Sequence, residues 1–482
     1  MSRREKGGIE RMLLRPKAGC FFALLVLSGC TTVAMNAGFD DVRATVEERS
    51  AIKIFWNNGT DLDKEAEEKV DSLLKAKLTA DEAVQIALLN NRDLQAVYSD
   101  LGVAQADLVQ AGLLNNPIFD AAIKFPTAGG QANLELAAVM NFLDVFYVPL
   151  RKRVAAARFE EAKLRVTGAV LDFAARARTA FYLHLANEQM LELRQTIVQA
   201  LTASLEVARR LNEAGNITDL DLARERALAE AGKLALRSAE IAARQSREQL
   251  NDILGLWGKN TEWRVDARLP DIPVQAMPTE DIERVALSRS IDLSHARQRI
   301  IVAGEQSGFN KTTALIPGLG FGPFAERNEG AWDVGPVFEF PIPLFDQGQA
   351  RVGRAAAELR RAQQEYYAMA IRIRSTARTV RDRMEGFRDR ALYYRDILLP
   401  LHERIVNESQ LQYNAMQLGP IQLLRAREQQ IETAVAYIEA QRDYWLARGD
   451  FGQILIGRLP SPNEMAPAQS GGTRRMADQA GH

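Results

Sequence analysis

Two hydrophobic periods run along this chain. Within 351–415, Ile373, Ala377, Val380, Met384, Phe387, Ala391, Tyr394 and Leu398 recur at alternating gaps of four and three. Val166, Val170, Phe173, Ala177, Ala180 and His184 set the same rhythm within 151–213, continuing to Ala208. Such a rhythm is a heptad seam, so both segments are predicted to be long helices packed as coiled coils. At about 1.5 Å per residue each reaches roughly 95 Å, so together they must form a rod or a tube. The second period is two. In 132–142 one face reads Leu134, Leu136, Ala138, Met140 and Phe142, and the other includes Asn133, Glu135 and Asn141. In 331–342, Trp332, Val334, Pro336, Phe338, Phe340 and Ile342 alternate with Asp333, Gly335, Val337 and Glu339. Segments of about ten residues, apolar on one side and polar on the other, suit strands of a membrane barrel. Their predicted partners are 118–125 and 318–326.

These elements occur twice. Leu78-Thr79-Ala80-Asp81-Glu82-Ala83 through Leu88 matches Met277-Pro278-Thr279-Glu280-Asp281-Ile282 through Leu287, and Asp93-Leu94 matches Asp292-Leu293 at the same offset of 199. Pro149-Leu150 recurs as Pro343-Leu344, Arg153-Val154 as Arg351-Val352, and Ile253-Leu254-Gly255 as Leu455-Ile456-Gly457. Each half is therefore predicted to hold a helix, a strand hairpin, a very long helix, a tight turn and a returning helix. Two hairpins make four strands, too few to close a barrel, which needs about eight. Open edges in lipid would leave backbone groups unsatisfied. The chain must therefore oligomerise, and three copies would supply twelve strands.

Composition narrows the class. Of 482 residues, 61 are Lys or Arg and 62 Asp or Glu, a formal charge of −1. No basic excess points to nucleic acid. At 47% hydrophobic and 26% charged the chain is not a disordered one. Two cysteines exclude a disulfide scaffold and a zinc ribbon. Seventeen prolines and 32 glycines are few for this length, which favours long helices over a turn-rich sandwich.

The first residues form an address. Arg3, Arg4, Lys6, Arg11, Arg15 and Lys17 precede a short apolar run from Phe21 to Leu27. The run is too short to span a bilayer, which takes about 20 residues, and it fits the apolar core of a secretory signal. It ends in Leu27-Ser28-Gly29-Cys30, which resembles the bacterial lipobox. The expectation is a lipoprotein signal peptide over 1–29 and a lipid on Cys30. The plain alternative is an ordinary signal peptide with a chance cysteine. Thr31 and Thr32 follow the cysteine where inner-membrane retention would use Asp. The remaining divisions are an N-terminal lipid-anchored segment 30–77, a first repeat 78–257, a linker 258–276, a second repeat 277–457 and a disordered tail 458–482. The helical hairpins are expected over 151–256 and 351–456.

Taken together, the lipobox, the twofold repeat, one strand hairpin per half and the near-100 Å helical hairpins resemble the TolC-type outer membrane factors. The resemblance covers about 78–457. Further likeness lies in the turns Asn212-Glu213-Ala214-Gly215-Asn216-Ile217-Thr218 and Tyr413 to Pro420, and in Pro400, which removes a helix hydrogen bond and permits a bend. Asn90–Pro117, with Ala104-Gln105-Ala106-Asp107-Leu108 and Gln110-Ala111-Gly112-Leu113, is most similar to the heavy-metal efflux subgroup of the cobalt-zinc-cadmium or copper type. The resemblance implies a mainly α chain with a β-barrel part. It implies a homotrimer with a twelve-stranded barrel in the outer membrane and a twelve-helix tunnel in the periplasm. It also implies a periplasmic adaptor, an RND-type inner-membrane transporter and passive export, with no cofactor. A lipid-anchored coiled-coil adaptor or scaffold is the competing class. Adaptors usually carry one helical hairpin between β-rich domains, which fits the repeat poorly.

Nothing in the sequence reads as a catalytic or metal centre. His184, His295, His402 and His482 lack metal-ligand spacing. His184 falls on the seam, where a packed interhelical histidine is the plainer reading. Gly318-Leu319-Gly320-Phe321-Gly322 does not link a strand to a helix, so it is no dinucleotide loop. What the family likeness singles out is the hairpin tips, which close the duct and touch the adaptor. Those positions are Gly215, Asp219, Asp221, Arg224 and Glu225 in the first half and Gly419, Pro420, Gln422 and Arg425 in the second. Gln422 and Arg425 stand where some relatives carry Asp, so an Asp–Arg latch between hairpins replaces an acidic ring as the expectation. The plain alternative is that Asp219 and Asp221 favour a helix N-terminus behind Thr218.

Overall fold

The computed structural model describes residues 33–460 except 60, 128, 130, 267, 276, 278, 279, 315, 317 and 329. The expected signal peptide, Cys30 and the tail from 461 onward lie outside the described residues. Helices α1 (Phe39–Ser50) and α2 (Asp61–Leu74) and the short β1 (Lys77–Leu78) precede the first repeat's α3 (Ala80–Asn90) and α4 (Arg92–Ala111). Strands β2 (Ile118–Lys124) and β3 (Asn133–Asn141) lead into α5 (Asp144–Glu213), and α6 (Asp219–Leu254) returns. After β4 (Arg264–Val265), the second repeat runs α7 (Ile282–Arg289), α8 (Ile291–Thr312), β5 (Gly320–Asn328), β6 (Ala331–Glu339), α9 (Gln349–Tyr393), α10 (Leu399–Asn414) and α11 (Pro420–Leu455).

Local chemistry sets these boundaries. Thr79 caps α3 in a reciprocal capping box with Glu82. Asn91 and Ser290, one repeat apart, cap α4 and α8 by accepting from the N–H of Leu94 and Leu293. The 70-residue α5 spans about 105 Å and begins before the expected 151, running through Pro149. Its counterpart begins only at Gln349, because Pro341 and Pro343 stand in the preceding segment. The second long helix is interrupted by a π-helical turn, Tyr394–Leu398, where Leu399 N–H reaches back to Tyr394 O. Pro400 follows at once and has no N–H to restore the α ladder.

The sheet is four-stranded and antiparallel in the order β2-β3-β5-β6, so the two hairpins lie side by side. Asp120, Lys124, Glu135, Glu326, Asp333 and Glu339 share one face through the pairs Ala122↔Glu135, Glu135↔Glu326, Glu326↔Asp333 and Gly320↔Glu339. Phe119, Ile123, Leu134, Leu136, Met140, Phe321, Val334 and Phe338 share the other, with Arg327 as its charged member. Much of the apolar face is exposed: Phe119 is 68% and Val334 76% exposed. Strand β5 carries Pro323, and the β3–β5 ladder skips from Ala137↔Phe324 to Met140↔Phe321 around it.

The main core lies where the two repeats meet. Val166, Val170, Phe173 and Ala177 of α5 join Ile373, Ala377 and Val380 of α9 and Tyr444 and Phe451 of α11 in one buried cluster. Phe39, Trp56 and Tyr98 extend it, with ring centroids 5.1–6.1 Å apart, and so dock the N-terminal segment. Ends of elements are tied across the chain. Asn91 Nδ2 donates to Asp252 O and Ile253 O, and Ile291 N–H to Gly457 O. The expected tail begins later than 458: Arg458 binds Asp172 and Asp292, and Leu459 N–H donates to Asp292 at 3.0 Å. That guanidinium, shared by two carboxylates, holds the last described turn against both repeats.

Candidate functional site

The two hairpin turns are copies of one motif. After α5, Ala214 N–H bonds Arg210 O and Asn216 N–H bonds Leu211 O. After α10, Ala415 N–H bonds Leu411 O and Gln417 N–H bonds Gln412 O. Both are helix stops that need one left-handed residue. In the first turn it is Gly215, at φ +77°. In the second it is Met416, at φ +56° and 95% exposed, while Gly419 is extended at φ −77°. A non-glycine residue there costs free energy, and such strain collects at functional sites. The sequence reading paired Gly215 with Gly419 and so missed Met416; its place one repeat after Gly215 was the available signal. Pro420 opens α11 in the first turn, where its missing N–H is not needed.

The charged tip residues divide into two groups. Thr218 caps α6 by accepting from Asp221 N–H at 3.2 Å and donates its hydroxyl to Asp221 Oδ2 at 2.8 Å. Arg224 lies 3.5 Å from Asp221, and Asn212 Nδ2 donates to Asp219 Oδ1 at 3.0 Å. Within one chain, then, Asp219 and Asp221 serve the turn itself. Glu225 is different: it is 5% exposed and accepts from Ser204 Oγ at 3.1 Å. Burial lifts its carboxyl above the ordinary range, Ser204 offsets part of this, and Glu428 adds to it. Gln422 and Arg425 are exposed, and Arg425 has no ion-pair partner among the described residues. The two hairpins flank a groove of about 900 Å³. Val207, Leu228 and Leu423 line it, and Asp221, Glu225, Arg425 and Glu428 reach it.

His184 sits far from the tips and wholly buried. Its Nδ1 is 3.1 Å from Ser246 Oγ, and that hydroxyl also lies 3.0 Å from Ala243 O. Nε2 has no hydrogen-bond partner among the described residues and lies 3.9 Å from Glu188. Burial, then the nearby Arg247, push its pKa down to about 4. Among the described residues no three His, Cys, Asp or Glu side chains are grouped to hold a metal ion, and no helix is long and apolar enough to cross a membrane.

No family model matches the chain. It is 22% identical over 385 residues to the cobalt-zinc-cadmium resistance protein CzcC of Cupriavidus metallidurans, covering 78% of this chain and 90% of that protein. It is 26% identical over 331 residues to the pyoverdine export outer membrane protein OpmQ of Pseudomonas putida, covering 61% of this chain and 66% of that protein. Its structure superposes on the Campylobacter jejuni CmeC outer membrane channel with a TM-score of 0.65 at 15% identity, covering 84% of this chain and 90% of that one. By its paired strand hairpins and long helical hairpins the chain has the fold of that outer membrane channel, and by these likenesses it is similar to the TolC-type outer membrane factors.

Proposed function

We propose that the protein is the outer-membrane exit duct of a tripartite efflux system. Three copies close a twelve-stranded barrel in the outer membrane, and their helical hairpins form a tunnel through the periplasm. One observation carries the reading. Across the four strands most large apolar residues lie on one largely exposed face, while Asp120, Lys124, Glu135, Glu326, Asp333 and Glu339 lie on the other beside Ile118, Val139, Phe324 and Val337. A sheet of that kind is stable with lipid on one side and water on the other. Its outer strands β2 and β6 each have one unpaired edge within the chain, which neighbouring copies would pair. Cys30 carries the lipid anchor. The tips at Gly215 and Met416 meet a periplasmic adaptor, and an RND-type inner-membrane transporter supplies the energy. The duct works passively, without a catalytic centre. Heavy-metal ions are the cargo class that the likeness to CzcC favours. The adaptor or scaffold reading leaves the apolar sheet face without a role.

Adjacent residues of β6 test this. Val334→Arg puts a charge on the lipid face and is expected to destabilise by about 2–4 kcal/mol near mid-membrane. Asp333→Arg faces water and is expected to leave trimer yield near that of the parent. Equal losses, read on gels as heat-modifiable trimer, would show that β6 does not face lipid.

A further inference from the structure

A cavity of about 290 Å³ lies where α5, α11 and the N-terminal segment meet. Three guanidinium groups reach it, from Arg49, Arg178 and Arg448, and among the described residues no Asp or Glu lines it. Two of the three are engaged. Arg178 pairs with Asp81 at 2.7 Å, and Arg49 donates to the carbonyls of Arg289 and Ile456. Arg448 is different. Its hydrogen-bond acceptor is the Met277 thioether, a weak one, and its guanidinium stands 5.7 Å from the Trp445 ring centroid. Among the described residues it has no carboxylate partner. Beside it the stacked pair of Trp445 and Tyr182, with centroids 5.0 Å apart at 26°, supplies aromatic lining.

The floor is the second observation. Gly449 and Gly452 lie inside α11, where glycine is less favourable than alanine. A Cβ added at either would meet nothing within 4 Å. Packing within the chain therefore gives no reason for glycine at either position, although both line the cavity. Open floor, aromatic lining and an under-used guanidinium describe a receptor for an aromatic body bearing a negative charge. Arginine recognises carboxylates through its planar fork, and aromatic faces hold the rest.

We propose that this cavity binds a small aromatic carboxylate, its acid group on Arg448 and its ring against Tyr182 and Trp445. The site joins α5 of the first repeat to α11 of the second, next to Arg49 of the N-terminal segment. A bound anion would therefore brace the junction of the two halves, apart from both the hairpin tips and the strands.

The experiment uses the detergent-solubilised full chain, with naphthoate as the probe and uncharged naphthamide as its control, followed by calorimetry. Naphthoate is expected to bind at one site per chain and naphthamide far more weakly. Arg448→Gln should weaken naphthoate by about tenfold or more, the scale of one lost charge-assisted contact. The Gly449→Ala, Gly452→Ala double variant fills the floor with a better helix former, so it should fold as well as the parent and bind poorly. Its melting temperature verifies the fold. Absence of saturable naphthoate binding by the parent would overturn the proposal, as would equal binding of naphthamide. So would parental binding by the double-alanine chain. If that chain loses its oligomeric state yet still binds naphthoate, the glycines serve a contact between copies and the proposal fails.

Discussion

His184 shows how one buried group ties stability to pH. Its pKa is about 4 in the fold against 6.5 ordinarily, so the fold holds it neutral. Above pH 6.5 neither folded nor unfolded chain binds this proton, and its contribution to stability is fully present. Between 6.5 and 4 the unfolded chain takes up a proton that the fold refuses, so stability falls as pH falls. The full loss is about 3 kcal/mol per chain by the lower end of that window. His184→Leu should flatten this dependence while keeping the seam packed. Melting temperatures of parent and variant at pH 7.5 and pH 5 check it, and parallel curves would remove His184 from the account. The seam position of His184 was legible in the heptads. Ser246 and Arg247, from the returning helix, were not, because their approach depends on how α6 lies against α5.

At the scale of elements, the two hairpins approach closely where β3 and β5 join. A Cβ on Gly322 would come 1.7 Å from Ala138 O across the β3–β5 ladder. No rotamer relieves that, because the obstacle is backbone. Gly322→Ala should push β3 and β5 apart and cost about 3 kcal/mol or more. Gly335→Ala, on β6, meets nothing within 4 Å and should be tolerated. Trimer recovered after refolding distinguishes the two; similar recovery would mean that the hairpins do not join there. The strands themselves were legible, because alternation of Leu134, Leu136 and Met140 with Asn133, Glu135 and Asn141 fits no other element. The approach of Gly322 to Ala138 was not legible. It follows from register, and register is set between strands nearly two hundred residues apart.

In the whole molecule, the hairpin tips are the proposed gate of the duct. Arg425 is proposed as one half of the expected latch, its partner an acidic residue of an adjacent hairpin. Asp221 is already shared by Thr218 and Arg224 inside its own turn, which weakens it as that partner. A partly exposed pair contributes about 0.2–1 kcal/mol, and three related copies about 1–3 kcal/mol, enough to shift a closed–open balance roughly tenfold. Arg425→Glu should therefore raise single-channel conductance in planar bilayers at low salt, with the difference shrinking at high salt. Parental conductance at low salt would make Arg425 an ordinary exposed helix residue.

What the amino-acid sequence determined alone is whatever repeats at short range. Heptads define long helices, alternation defines two-faced strands, and an offset near 199 between Leu78 and Met277 defines two halves. These patterns are local because each element must bury or expose its own stripe. Tertiary structure alone decided where distant elements touch. It placed Phe39 and Trp56 on Tyr98, seated Arg458 between Asp172 and Asp292, and buried Glu225 in the groove between the hairpins. It also placed the left-handed residue of the second tip at Met416. In each case the outcome depends on the neighbour supplied by another part of the chain, and no period in the sequence records that neighbour.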